Sequence, residues 1–233
     1  LSDCSSSRES MAMDKHTTYY GVLEAMRDAK GCPLCKLEAD SVHRYLDSLL
    51  YESVNDTGVR ADLIRAKGYC RRHAQELTKM GNAFGIAILY QDQVRLFAEF
   101  LDGLPDAPPK SLRQIHNWQR AEFCPACRTQ SECRSRYTST LIGGLADEEM
   151  RSAYASGPGL CVPHFLYALK ETRDAEVYRF LVAQERVKIG ALLHDLQEFR
   201  RKHDYRFSHE GFGNESDSWL RAVKLIVGED DEL

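Results

Sequence analysis

Apolar residues return along this chain at intervals of three and four, and hardly anywhere at intervals of two. Tyr20, Leu23 and Met26 mark a first helix over Thr17 to Ala29, and Val42, Tyr45, Leu46, Leu49 and Leu50 form the stripe of a second. Ala87, Val94, Phe97, Ala98 and Leu101 give the inner side of a helix from Ala83 to Leu101. Val177, Phe180, Leu181, Val187, Leu192, Leu196 and Phe199 do the same for the longest helix, Asp174 to about His203. A terminal helix, from about Ser216 to Val227 with Ser216 as its cap, would bury Trp219, Val223 and Ile226. The pattern predicts an all-α protein.

Punctuation divides these helices. Pro33 suits the first position of a helix, where its fixed φ is already helical and no amide hydrogen is needed. Asn55-Asp56-Thr57-Gly58 breaks the second helix, and Asp56 is placed to cap a short one ending near Lys67. Gly103-Leu104-Pro105-Asp106-Ala107-Pro108-Pro109 can continue neither helix nor strand and reads as a linker. The expected organisation is a polar, disordered leader (1–14), a helical module (15–103), a linker (104–110), a second module (111–203) and a C-terminal extension with an acidic tail (204–233).

The chemistry lies at the helix starts. Cys32-Pro33-Leu34-Cys35 is followed, 34 residues later, by Cys70-Arg71-Arg72-His73; Cys124-Pro125-Ala126-Cys127 is followed, 33 residues later, by Cys161-Val162-Pro163-His164. An offset of 92 superimposes the cysteine pairs, together with Tyr45 on Tyr137 and Leu49 on Leu141. An offset of 91 superimposes the Cys/His pairs, together with Asp56 on Asp147, Arg60 on Arg151 and Gly68 on Gly159. One residue is therefore missing from the second copy, at a point matching Leu49 to Asp56, and the chain reads as a duplicated helical module. Read module by module, Cys32, Cys35, Cys70 and His73 make one Cys3His set, and Cys124, Cys127, Cys161 and His164 the other. Each would close a loop of more than thirty residues, although the sequence leaves open whether each module closes its own site.

Three thiolates and an imidazole suit a closed tetrahedral zinc site, which predicts two zinc ions per chain. Helix N-termini favour thiolate over thiol and so favour metal capture. An iron-sulfur cluster is the alternative ligand for such sets. A thiol redox enzyme would place its Cys-Pro-x-Cys beside a sheet, which this pattern does not provide. Cys4 and Cys133 fall outside the repeat, and so do His43, His116, His194, His203 and His209. Asp56 with Arg60, and Asp147 with Arg151, read as a cap and a salt bridge one turn apart.

Composition narrows the function. A formal charge of −4 argues against nucleic acid, despite Arg71, Arg72, Arg128, Arg134 and Arg136 near the ligand helices. No run is apolar enough for a membrane span or a signal peptide, and repeated cysteines kept for metal suit a reducing, cytoplasmic setting. No cluster has the groups for acid-base, nucleophilic or phosphate-cradling catalysis. The reading is a zinc-stabilised binding module, more readily a non-enzyme, whose extension offers Tyr205, Arg206 and Trp219 to a protein partner. A redox protein acting at one Cys3His set is the rival, and nucleic-acid binding a weaker one.

Taken together, GCPLC, YLDSLLYESVND, GYCRRH, FCPAC, GLCVPH, DYRF and SWLRAV resemble an uncharacterised bacterial and archaeal family, a domain of unknown function with paired CPxC and CxxH motifs, over roughly residues 15 to 228. The resemblance carries over the eight ligand positions and implies no activity.

Overall fold

The computed structural model describes residues 17–105, 112–119, 123–207 and 209–229. The leader, the interior of the linker, Cys4 and the tail beyond Glu229 lie outside the described residues. Among the described residues there is no strand. The helices are α1 (Thr17–Asp28), α2 (Pro33–Ser48), α3 (Thr57–Ala66), α4 (Arg71–Lys79), α5 (Ala83–Asp102), α6 (Arg113–Gln119), α7 (Pro125–Gly144), α8 (Glu148–Ser156), α9 (Val162–Glu171), α10 (Ala175–Lys202) and α11 (Ser218–Val227).

Local chemistry sets many of the boundaries. Pro33 and Pro125 open α2 and α7. Asp56 Oδ1 accepts from the Val59 amide at the start of α3, Asn82 from the Gly85 amide at α5, and Asp174 from the Glu176 and Val177 amides at α10. Between α2 and α3 the chain makes a π-helical turn, Leu49–Ser53, whereas α7 runs unbroken through the matching stretch. A π turn takes up one residue more than an α turn over the same path. The one-residue difference between the two sequence offsets thus falls where the first half carries its wider turn.

The helices of the two sequence halves interleave. α2 and α7 share the most extensive helix interface, and α1 packs on α7 and α8 as well as on α2. One apolar cluster joins Tyr19, Val22, Met26 and Leu34 to Leu141, Leu145, Met150, Tyr154, Leu160 and Leu181. A second joins Val42, Leu46, Leu49 and Leu50 to Leu63, Leu77 and Leu89, and also to Cys124 and Ala126. Each cluster draws on both halves, and each fully buried leucine in them contributes about 1.5–3 kcal/mol.

Two predicted faces are turned differently. In α5, Val94, Phe97 and Leu101 are exposed, while Gly85, Leu89 and Asp92 are buried. Asp92 can face inward because Arg60 and Arg95 both reach its carboxylate at 2.7 Å, so a charged residue occupies the inner stripe and disguises it. Arg60 is thereby used on Asp92 instead of bridging to Asp56, and Arg151 bonds Glu176 and the Leu145 carbonyl. In α10, Glu185 is buried and Val187 is 70% exposed. The terminal helix begins at Ser218 and buries that residue against its neighbours, leaving Trp219, Val223 and Ile226 exposed.

Candidate metal centres

Every ligand pair begins a helix. Cys32, Cys70, Cys124 and Cys161 are the residues immediately preceding α2, α4, α7 and α9, with extended or near-extended backbone. Their partners Cys35, His73, Cys127 and His164 follow three residues later, so each pair points off the first turn of its helix. Gly68 (φ +96°) and Gly159 (φ +88°) turn the chain into the two Cys/His pairs in a region that favours glycine. At Gly159 a Cβ would also collide with the Glu185 carboxylate, which accepts the Leu160 amide at 2.8 Å and the Tyr154 hydroxyl at 2.5 Å.

The pairs combine across the halves. Centre 1 is Cys32, Cys35, Cys161 and His164; centre 2 is Cys70, His73, Cys124 and Cys127, and within each set all four donor atoms lie within 4.8 Å of one another. All eight residues singled out in the sequence are thus brought together, but not in the module-by-module sets. The reason is the packing of α2 against α7, which carries the N-terminus of each to the Cys/His helix of the other half. Each centre forms where two helix N-termini converge, and both helix dipoles favour the negative charge of its thiolates. Cys133 is buried in the first apolar cluster and belongs to neither set.

The donor spacing suits a single ion. In centre 1 the Sγ atoms of Cys35 and Cys161 are 3.6 Å apart, and His164 Nδ1 lies 3.4, 3.3 and 3.1 Å from the sulfurs of Cys32, Cys35 and Cys161. In centre 2 Cys70 and Cys127 are 3.6 Å apart, and His73 Nδ1 lies 3.3, 3.6 and 3.4 Å from Cys70, Cys124 and Cys127. A tetrahedral ion with bonds of about 2.3 Å to sulfur and about 2.0–2.1 Å to nitrogen separates its donors by about 3.8 Å and about 3.6 Å respectively. The residues present fit a mononuclear metal. A multi-iron cluster distributes its ligands over separate irons and needs them farther apart.

The surroundings of the two histidines differ. His164 Nε2 meets Glu38 Oε1 at 2.6 Å, and Glu38, 2% exposed, is held by Arg134 Nε at 2.8 Å and Gln130 Nε2 at 2.8 Å. This is the carboxylate-histidine pairing that orients a metal ligand and raises its basicity. Burial pushes Glu38 up, but the bonds from His164 and Arg134 outweigh it and hold the carboxyl below its ordinary range. Burial likewise pulls His164 down, and its bonds with Cys161, Cys35 and Glu38 overcome this and raise it to about 11. Hydrogen bonds with Cys161 and Cys32 draw Cys35 far below the ordinary thiol range, whereas burial pushes Cys32 up. The cluster therefore favours a thiolate beside an imidazolium, and a metal must displace protons to enter.

At centre 2, Arg72 lies 3.0 Å from His73 Nε2 and donates to Gln130 Oε1 at 2.5 Å. The two histidines are thus linked through Glu38, Gln130 and Arg72. Glu38 and Gln130 occupy equivalent places, each three residues past the second cysteine of its pair, and the repeat arithmetic could have singled them out.

Another contribution that the spacing could not announce comes from the C-terminus. The Glu229 amide donates to Cys35 Sγ at 3.3 Å, from 194 positions away. Gly228 (φ +87°) lies so close that a Cβ there would sit 3.4 and 3.6 Å from the sulfurs of Cys35 and Cys161. The Glu229 side chain fills the space beside Gly31 and pairs with Lys224 at 3.3 Å. Between this strap and α4 opens a cleft of about 590 Å³ lined by both faces of the network, including Glu38, Arg72 and Arg134.

Comparison with known proteins places the chain in a family. A model of a family of unknown function, DUF6062, matches residues 13–232. An uncharacterised 23.9 kDa protein from the xynA 3′ region of Caldicellulosiruptor sp. (strain Rt8B.4) is 29% identical over 199 residues, covering 84% of this chain and 95% of the relative. No solved structure matches.

Proposed function

The chain belongs to the DUF6062 family, whose description assigns no activity, and from its site chemistry we propose that it is a zinc-stabilised helical interaction module. The observation that carries this reading is the gathering of all eight donors into two four-donor sets, each at tetrahedral spacing. Four protein ligands leave no position for a substrate, which is the character of a structural site. Such a site contributes on the order of 10 kcal/mol or more of apparent binding energy. Here that energy would tie together segments more than 50 and more than 120 positions apart. Zinc is favoured because it binds thiolate and imidazole tetrahedrally without redox change, and the donor spacing supports it over an iron-sulfur cluster.

The partner surface is read from the extension. Tyr205 is 84% and Trp219 is 54% exposed, and Arg206 is solvent-facing beside Asp204. Residues of these types are common anchors of protein interfaces. Among the described residues no helix is long and apolar enough to cross a membrane. Cysteines gathered into metal-binding sets instead of disulfides support a reducing, cytoplasmic setting.

Elemental analysis of protein purified without added metal tests the reading. It should find about two zinc ions per chain in a colourless sample, whereas iron with visible absorbance would move the assignment to a cluster. Changing Tyr205, Arg206 and Trp219 together to alanine should leave the zinc in place and weaken capture of co-purifying proteins. An unchanged set of captured proteins would remove that surface from consideration.

A further inference from the structure

We propose that the outer face of α5 is a dimerisation surface, and that a second copy of this chain packs on it with its own α5 antiparallel about a twofold axis. The face is a single stripe. Phe84, Ala87, Gln91, Val94, Ala98 and Leu101 are all exposed, Phe84 by 79% and Val94 by 68%. Their spacing alternates three and four along the 20-residue helix, which is the repeat of a two-helix seam. The opposite face of α5 already carries the buried Gly85, Leu89 and Asp92. The stripe is therefore a second apolar side on a helix that needs only one to join the fold. Contiguous exposed apolar side chains of this extent mark an interaction surface.

Three features identify the occupant as another copy. First, the stripe has the same form read from either end. Phe84 and Leu101 are its large ends, Ala87 and Ala98 its small positions, and Gln91 and Val94 its centre. Turned end for end, a second α5 sets Phe84 against Leu101, Ala87 against Ala98 and Gln91 against Val94, each of them twice, as a closed twofold interface requires. The paired alanines let the two helices approach closely. Gln91 is the one polar member, and a single polar residue in a seam fixes its register.

Second, the charges complement one another only in the antiparallel sense. Glu99 and Asp102 stand in the last turn of α5, which has no basic residue there and no acidic residue in its first turn. The helix dipole favours the reverse arrangement. In the antiparallel pair each acidic end lies beside the N-terminus of the partner's helix, where negative charge is stabilised. The stripe itself is uncharged, and Arg95 at its edge is held by Asp92 at 2.7 Å, so no like charges are forced together.

Third, the area suffices. Phe97 flanks the stripe and is held by the rings of Phe100 and Trp118 at 6.0 and 5.3 Å, which extends the surface towards α6. With Phe97 included, the exposed parts of these side chains amount to about 500–600 Å² per copy, so a pair buries about 1,000–1,200 Å², the lower end for a specific interface.

The test is sedimentation velocity of the intact chain from about 1 µM to about 100 µM, the range in which a small interface associates. The chain should pass from monomer to a species of twice its mass and stop there. Val94→Glu, at an exposed position, should weaken this association by about tenfold or more with an unchanged circular dichroism spectrum. A pair of double variants reads the direction of the helices. Ala87→Glu with Ala98→Lys sets opposite charges across an antiparallel pair and should still dimerise. Ala87→Glu with Ala98→Glu sets like charges there and should remain monomeric. A parent chain that stays monomeric at every concentration would overturn the inference, as would a dimer indifferent to Val94→Glu or double variants that behave alike. Growth beyond the dimer would also overturn it, because α5 docking on a different surface such as α11 of the next copy is head-to-tail and does not close.

Discussion

Glu38 stands one helical turn past Cys35, and its value depends on the imidazole it meets. With His164 Nε2 at 2.6 Å it fixes both the ring and its tautomer, leaving Nδ1 for the metal. Glu38→Ala should therefore lower zinc affinity at centre 1 by about 10–100-fold, read by competition with a chromophoric chelator, and leave centre 2 within about twofold. Equal weakening at both centres would mean that Glu38 acts through the fold as a whole. A second buried carboxylate behaves oppositely. Burial raises Glu185 above the ordinary carboxylate range, and the bonds from Tyr154 and Leu160 offset this only in part. Between its unfolded and its higher folded pKa the folded chain binds more protons, so this group's contribution to stability falls as pH rises through that window. Glu185→Gln keeps an acceptor for both bonds and removes the charge. It should melt higher than the parent at neutral pH, with the difference closing as pH falls through the window towards and below about 4. A variant that melts lower at every pH would show that the charge itself is needed. The repeat arithmetic could single out Glu38 but not the imidazole it meets; Glu185 was not legible, because a Glu or Asp within an apolar stripe looks like a boundary of the inner face. In α5 and α10 the inward Asp92 and Glu185 displaced the expected stripe for this reason.

Elements were the most legible level. Helical period, Pro at the start and Asp at the cap place α1 to α3, α5 and α10 within a few residues, because those signals act over one or two turns. The one-residue difference between the two sequence offsets was also legible, and the π-helical turn Leu49–Ser53 lies where it falls. The orientation of α11 was not. Its most apolar positions face solvent, since the segment is placed by Arg221 reaching Asp195 on α10 at 2.9 Å and by the strap on centre 1. Gly159 shows how tightly a short connection can be specified. Gly159→Ala meets both a left-handed φ and the Glu185 carboxylate, and should destabilise the fold by about 1–3 kcal/mol in chemical denaturation. Gly68→Ala should cost less than Gly159→Ala, because a Cβ there meets only the Tyr90 ring at 4.0 Å. The reverse order would place the constraint elsewhere.

For the molecule as a whole, the identity of the ligands was written in the chain and their pairing was not. Two identical cysteine pairs and two identical Cys/His pairs can be matched in two ways, and spacing is silent between them. Contacts between α2 and α7 decide the match, with Leu34 and Cys35 in one core and Cys124 and Ala126 in the other. The donor sets thus draw on both halves instead of each half supplying its own, and this crossing is the central claim. It is tested most directly by disabling one Cys/His pair and asking which cysteines lose protection. In the double variant Cys70→Ser, His73→Ala, zinc content should fall to about one ion per chain, as expected when one four-donor site is broken. N-ethylmaleimide should then label Cys124 and Cys127, while Cys32, Cys35 and Cys161 remain protected. Labelling of Cys32 and Cys35 with Cys124 and Cys127 still protected would show that each half closes its own site, and would contradict the account.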